Sequence, residues 1–317
     1  VQKESGLTMD YEKYRRELKQ IIDDNPESFL SDGELLRFSK YLEDMWWIDD
    51  LKLYRYSPAD YFNIRNFESG KLRLTNNGVL NDVYEGIPFD DCKEITPLMA
   101  SGLSELAYIK SFTEDPYNTL MWSHYADNQR GICIEYDLQL MPYDDPLWEH
   151  LFPVVYSSER RIKMDITEMA KELKQLQRNI EDYSERDDRG YLDDCKSLFI
   201  SKGKAWSYEK EWRIVYTKAE IYDINDKELN QYIISLEFST AIYLGFRIDP
   251  TVKENILEIV SRINRKRIEK YPFSIQPTVP IPPIKVYQIM LEDNSYELSA
   301  KEINFTITDD GSIEICN

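Results

Sequence analysis

Two segments of this 317-residue chain gather side chains able to do chemistry. WSHYADNQRGICIEYD, from Trp122 to Asp137, sets His124, Tyr125 and Arg130 among aromatics and ends in an alternating, strand-like run. WSYEKEWRIVY, from Trp206 to Tyr216, spaces Glu209, Glu211 and Arg213 two apart, so that on an extended strand all three would face one side. His124 is one of only two histidines, and an imidazole titrates close enough to neutrality for acid or base work. Its aromatic neighbours suit a buried structural histidine equally well. For the glutamates, one reading is a carboxylate aimed at a sugar hydroxyl, its partner raising its pKa by like-charge repulsion. The other is a buried ion pair that ties Arg213 into the fold.

A third position is Arg55, in the alternating stretch LKLYRY. Its planar donor fork suits a phosphate or carboxylate, and the structural alternative is pairing with an acid such as Glu135 or Glu211. Ser111 and Thr113 would offer hydroxyls on a common face if residues 110–114 are extended.

Several chemistries are disfavoured. Gly102, Gly131, Gly190, Gly203 and Gly245 are too dispersed for a dinucleotide fingerprint or a Walker loop. No nucleophile elbow or diagnostic triad context is present. Cys92, Cys133, Cys195 and Cys316 have no metal-ligand spacing, so no metal is predicted and free thiols are expected. With 58 acidic against 39 basic residues the formal charge is -19, which disfavours sliding on nucleic acid or adhering to anionic membranes. A local basic pocket for a small nucleotide remains compatible with that field. The polar start and the lack of a long apolar span give a cytoplasmic expectation with no membrane partner.

These residues need elements to position them. Periodicity predicts helices at Tyr11–Ile22 and Glu34–Trp47, the second with Leu35, Phe38, Leu42 and Met45 on one face. A further amphipathic helix is expected at Lys253–Ile268, burying Ile256, Ile259, Val260 and Ile263 and ending in the basic Arg262, Arg265, Lys266 and Arg267. Strands are expected at Leu51–Tyr56, Lys71–Thr75, Ala107–Phe112, Gly131–Tyr136, Pro153–Ser157, Trp212–Thr217, Ala241–Phe246 and Lys285–Met290. The stretch between the first two strands is read as a loop. In the Gly131–Tyr136 strand, Ile132 and Ile134 take one face and Cys133 and Glu135 the other. The expected class is α+β, a bent, mainly antiparallel sheet with surrounding helices in one elaborated domain. Within it, 1–50 forms an N-terminal helical segment, 51–270 the main body with a helical insertion near 165–200, and 271–317 a C-terminal strand extension.

The phrases KLYRYSP, LRLTNNGVLND, YIKSFTED, LMWSHYADNQRGICIEYD, WSYEKEWRI and IYLGFRI together resemble a bacterial family known as domain of unknown function 2971. The family pattern has an Asn-Asp-Pro-Phe-like phrase where this chain has Asn81, Asp82, Val83 and Tyr84. A second resemblance is to ADP-ribosyltransferase-like folds, which gather an early-strand Arg, a middle hydroxyl strand and a late Glu-x-Glu around NAD. It implies that Arg55 holds a phosphate or ribose, that Ser111 and Thr113 support the pocket, and that Glu211 stabilises an oxocarbenium ion while Glu209 positions an acceptor. Tyr125 and Arg130 would then line the nucleotide, with NAD consumed as a substrate, while His124, a catalytic candidate, has no fixed place in that scheme and would orient a pocket carboxylate or replace Arg55 as the nucleotide contact. The acceptor, protein or nucleic acid, stays open, as does the oligomeric state. Two other classes stand beside this enzyme reading: a nucleotide or nucleic-acid sensing or processing protein of defence, and a noncatalytic interaction module.

Overall fold

The computed structural model describes residues 10–24, 32–46, 51–76, 81–82, 84–85, 107–142, 144–159, 194–217, 233–270, 281–308 and 313–316. In chain order the first elements are α1 (Glu12–Asp24), α2 (Asp32–Trp46), β1 (Lys52–Ser57), α3 (Tyr61–Ser69), β2 (Lys71–Arg73), β3 (Thr75–Asn76) and β4 (Ala107–Thr113). There follow α4 (Thr119–Tyr125), β5 (Ile132–Asp137), β6 (Leu151–Pro153), β7 (Val155–Ser157), β8 (Ser201–Gly203) and β9 (Glu211–Thr217). The last are β10 (Ile233–Ser235), β11 (Ser239–Leu244), α5 (Pro250–Lys270), β12 (Lys285–Leu291), β13 (Leu298–Glu302), β14 (Asn304–Ile307) and β15 (Ile313–Cys316). The fold is α+β and its strand pairing mainly antiparallel, as the alternating segments predict. Of the helical insertion expected near 165–200, residues 165–193 lie outside the described residues, and Asp194–Phe199 form a 3₁₀ turn.

The chain groups into two compact units, each assembled from three stretches. The first takes Val1–Asp49, Arg73–Ser111 and Tyr143–Tyr232. Here α1 buries Tyr14, Leu18, Ile21 and Ile22, the spacing of one helical face. Tyr14 meets Trp212 of β9 edge-on at 5.6 Å, and Phe38 of α2 lies 5.9 Å from Phe152 of β6. β6 runs antiparallel to β9, with Phe152 opposite Arg213, while β7 runs parallel to β8. Every residue of β9 is buried, so this strand forms the spine of the unit.

The second unit takes Asp50–Leu72, Phe112–Pro142 and Ile233–Asn317. β5 lies between β1 and β11, antiparallel to both; β12 joins β11 in parallel and β13 pairs antiparallel with β12. The register sets Arg55 opposite Ile134, Tyr56 opposite Cys133 and Tyr54 opposite Glu135, which keeps the expected two faces of β5 apart. α5 buries Ile256, Leu257, Ile259 and Val260; Ile263 is half-buried. Its first turn is capped by the Asp249 carboxylate, which accepts from Thr251 N at 2.8 Å.

The expected loop between the first two strands is instead the helix α3. Asp60 caps its first turn by accepting from Asn63 N, and Gly70, at φ 63°, ends it in a left-handed conformation. Both signals stand in the sequence; the helix buries only Ile64 and Phe67, too few apolar positions to register as a period.

Between α4 and β5 the phrase ADNQRG makes an unusual turn. Asp127, Asn128 and Gln129 all have positive φ, at 45°, 52° and 70°. Such a run is costly for L-residues, and backbone bonds hold it: Gln129 N to Trp122 O at 3.0 Å and Gly131 N to Ala126 O at 2.8 Å. Gly245 N and Arg247 N then donate to Gly131 O and Gln129 O, both at 2.9 Å, joining the turn to the end of β11. A Cβ on Gly131 would strike the Ser57 carbonyl, and one on Gly245 the Gln129 carbonyl. No helix among the described residues is long and apolar enough to cross a membrane.

Candidate functional site

In the first unit the strand β8 and the 3₁₀ turn Lys204–Glu209 lead into β9 and together carry four charged side chains that meet a fifth, Glu85. Lys202 Nζ lies 2.7 Å from Glu209 Oε2, 3.1 Å from Glu85 Oε1 and 3.2 Å from Glu211 Oε2. Arg213 donates from Nε to Glu211 Oε1 at 2.7 Å and from its terminal nitrogens to Glu211 Oε2 at 2.9 Å and to the Phe199 carbonyl at 2.7 Å. It also contacts Glu85 Oε1. The five side chains are at most 6% exposed. Burial on this scale costs several kcal/mol per ion unless each is paired and hydrogen-bonded, and here the pairing is dense.

The electrostatics follow from that packing. Burial alone would raise the Glu211 pKa, but Arg213 and Lys202, with hydrogen bonds from Arg213 and Ser111, hold it at about 2. Burial would lower Lys202; its three carboxylates win and raise it. Glu211 is therefore a fixed anion and Lys202 a fixed cation across the physiological range. The main chain is pinned as well, since Glu211 N donates to Tyr156 Oη at 2.8 Å and Arg15 reaches from α1 to the Val154 and Glu211 carbonyls.

Beside this cluster lies a cleft of about 760 Å³. Its apolar part comes from Ile22, Val155 and Leu198, and its polar rim includes Ser158, Ser201 and Lys204. Trp206 forms one wall, with the Lys202 ammonium 4.8 Å from its ring centroid. Lys204 is exposed and makes no ion pair among the described residues. A volume and lining of this kind fit a small organic ligand with one aromatic ring and a few polar groups.

Against the sequence expectations, Ser111, Glu209 and Glu211 do come together in this unit, Lys202 reaching both glutamates and Ser111 helping to lower the Glu211 pKa. Glu211 and Arg213 share a strand face and pair as the structural alternative proposes. Glu209 reaches the cluster differently from expectation: it ends the 3₁₀ turn, and Lys210, at φ 44°, separates it from the strand. The two glutamates therefore meet through Lys202 and not as strand neighbours. Lys202, Glu85 and Trp206 were not singled out from sequence. Only Trp206 carried a signal, as the first residue of the second dense phrase.

Arg55, Thr113, His124, Tyr125 and Arg130 lie in the second unit. His124 is exposed near the end of α4, its ring 6.2 Å from that of half-buried Tyr125, and Arg130 is exposed on the adjoining turn. Thr113 is buried and its hydroxyl accepts from Asp115 N at 3.3 Å. Arg55 pairs with neither Glu135 nor Glu211; the Glu135 oxygens are taken by Thr240 at 2.7 Å and Tyr243 at 3.1 Å. The buried structural histidine is His150 and not His124. Its ring stacks on Tyr216 at 3.7 Å, its Nδ1 lies 3.2 Å from the Val215 carbonyl, and burial with the nearby Lys196 lowers its pKa to about 3. Among the described residues no group of His, Cys, Asp and Glu could hold a metal ion.

No curated protein and no solved structure matches the chain. Residues 121–214, which take in His124, Lys202, Glu209, Glu211 and Arg213, match the model of the family described as a protein of unknown function (DUF2971).

Proposed function

We propose that the protein binds a small nucleotide-class ligand in the cleft of the first unit. The observation that carries this reading is the Trp206 wall beside a charge cluster in which each of the three carboxylates contacts a buried cation. Such a cluster fixes the cleft's edge without needing to reorganise when a ligand arrives. A base or nicotinamide ring would lie on the indole, a ribose would meet the Ser158 and Ser201 hydroxyls, and a phosphate would meet Lys204.

NAD is the member of this class favoured by the sequence resemblance. Cleavage of its glycosidic bond would draw on Glu209 and Glu211, which share Lys202 at the cleft's edge. The close pairing of both carboxylates favours binding over cleavage, and so favours sensing over transfer. The test is calorimetric titration with NAD, ADP-ribose and AMP, with mass detection of products in the same samples. Removing a stacked aromatic should weaken binding roughly 5- to 100-fold, so Trp206→Ala is expected to lose affinity while keeping its circular dichroism. Absence of binding by every panel member, or full affinity in Trp206→Ala, overturns the reading. Product formation that Glu209→Gln abolishes would move it from sensor to enzyme.

A further inference from the structure

The second unit contains a group of polar ends that take no part in the Trp206 cleft. Arg55 and Ser57 are two apart on β1 and so project from the same face of the sheet. Tyr136 on β5 stands opposite Leu53, which puts its side chain on that face too, one position along from Arg55. All three carry hydrogen-bond donors, and all three are unspent. The Ser57 hydroxyl is buried without a partner. The Arg55 guanidinium and the Tyr136 hydroxyl make no hydrogen bond or ion pair among the described residues.

The acids nearby are committed elsewhere. Asp60 is close enough to be felt by Arg55, yet its two oxygens accept from Asn63 N at 2.8 Å and Asn63 Nδ2 at 3.0 Å, at the start of α3. Glu135 projects from the other face, bonded to Thr240 and Tyr243. Tyr136 is held neutral because burial raises its pKa. A half-buried guanidinium with no anion against it is an expensive arrangement, and native structures rarely leave buried donors idle. Burial accordingly lowers the Arg55 pKa, against the opposing influence of Tyr136, Cys133 and Asp60.

We infer that Arg55, Ser57 and Tyr136 form an oxyanion site in the second unit, binding the phosphate or carboxylate group of a small molecule. The guanidinium supplies the charge and a planar pair of N–H donors. The phenol and the serine hydroxyl supply neutral donors on either side along the same face. This site is separate from the Trp206 cleft and holds whether or not that cleft binds a nucleotide.

The experiment is a thermal-shift and calorimetric titration of the full chain with inorganic phosphate and, separately, with acetate, at constant ionic strength. The expected result is saturable stabilisation by at least one of them, the stronger of the two naming the source as phosphate or carboxylate. Arg55→Gln is expected to abolish the response and to melt no lower than wild type without ligand, because it removes an unpaired charge. Tyr136→Phe, which keeps the ring packing, is expected to weaken binding several-fold. No response to either anion, or an undiminished response in both Arg55→Gln and Tyr136→Phe, overturns the proposal.

Discussion

Replacing Lys202 with Met keeps the aliphatic stem and removes the ammonium that three buried carboxylates share. Glu209 loses its 2.7 Å contact, and Arg213 is left to answer both Glu85 and Glu211. Within the five-residue cluster, one excess negative charge becomes two. Breaking a buried pair by removing one partner costs about 3–5 kcal/mol, a large share of the roughly 5–15 kcal/mol that holds a domain folded. The deficit should depend on pH. In the wild type the Glu211 pKa is depressed to about 2, so its contribution is present above the unfolded value near 4.5 and is lost as pH falls from there towards 2. At 1.36 kcal/mol per unit that contribution is about 3 kcal/mol. Without Lys202 the remaining carboxylates rise and take up protons more readily, which relieves the excess charge. Urea unfolding followed by tryptophan fluorescence is therefore expected to give a loss of about 3–5 kcal/mol at pH 7 and a loss smaller by at least about 1 kcal/mol at pH 5. Adding Glu209→Gln to the Met variant should recover part of the stability, whereas Lys204→Met alone should stay within about 0.5 kcal/mol of wild type. A Met variant as stable as wild type at pH 7, or one whose deficit is the same at both pH values, would refute the account of the cluster.

Two further perturbations test other parts of the fold. His150 is held neutral with its pKa lowered to about 3, so it adds stability above the unfolded value near 6.5 that disappears as pH falls towards 3; His150→Phe should flatten the stability profile over that window in acid titration of unfolding. In the left-handed turn, Gln129→Gly should stabilise by about 1 kcal/mol by relieving a φ of 70°, while Gly245→Ala should destabilise by about 1–3 kcal/mol because its methyl meets the Gln129 carbonyl; paired melting curves with opposite signs are the check.

What could be read from the sequence was set by local periodicity. β1, β5 and β9 appear nearly where their strand-like runs predict, because side chains alternate between the two faces of a strand whatever covers those faces. The pairing of Glu211 with Arg213 was legible for the same reason. α3 was missed because its capping residues are clear but its buried face is only two residues wide. Lys202 and Glu85 were invisible for a different reason: their meeting depends on where separate stretches of chain pack, and no spacing encodes it. His124 drew attention as a rare residue in a dense phrase, yet the phrase owes its form to the turn at 127–129 and the glycines at 131 and 245.

The triple engagement of Lys202 also governs its reactivity. Its ammonium lies within 3.2 Å of three carboxylates, and the unprotonated amine that an acylating reagent needs is suppressed by the same anions. Lys204, two residues further on, stands exposed to solvent. Brief treatment with an amine-selective label should thus mark one of these neighbours and spare the other. The ratio of the two adducts would serve as a footprint of cluster integrity, sensitive to local opening well before the chain as a whole unfolds.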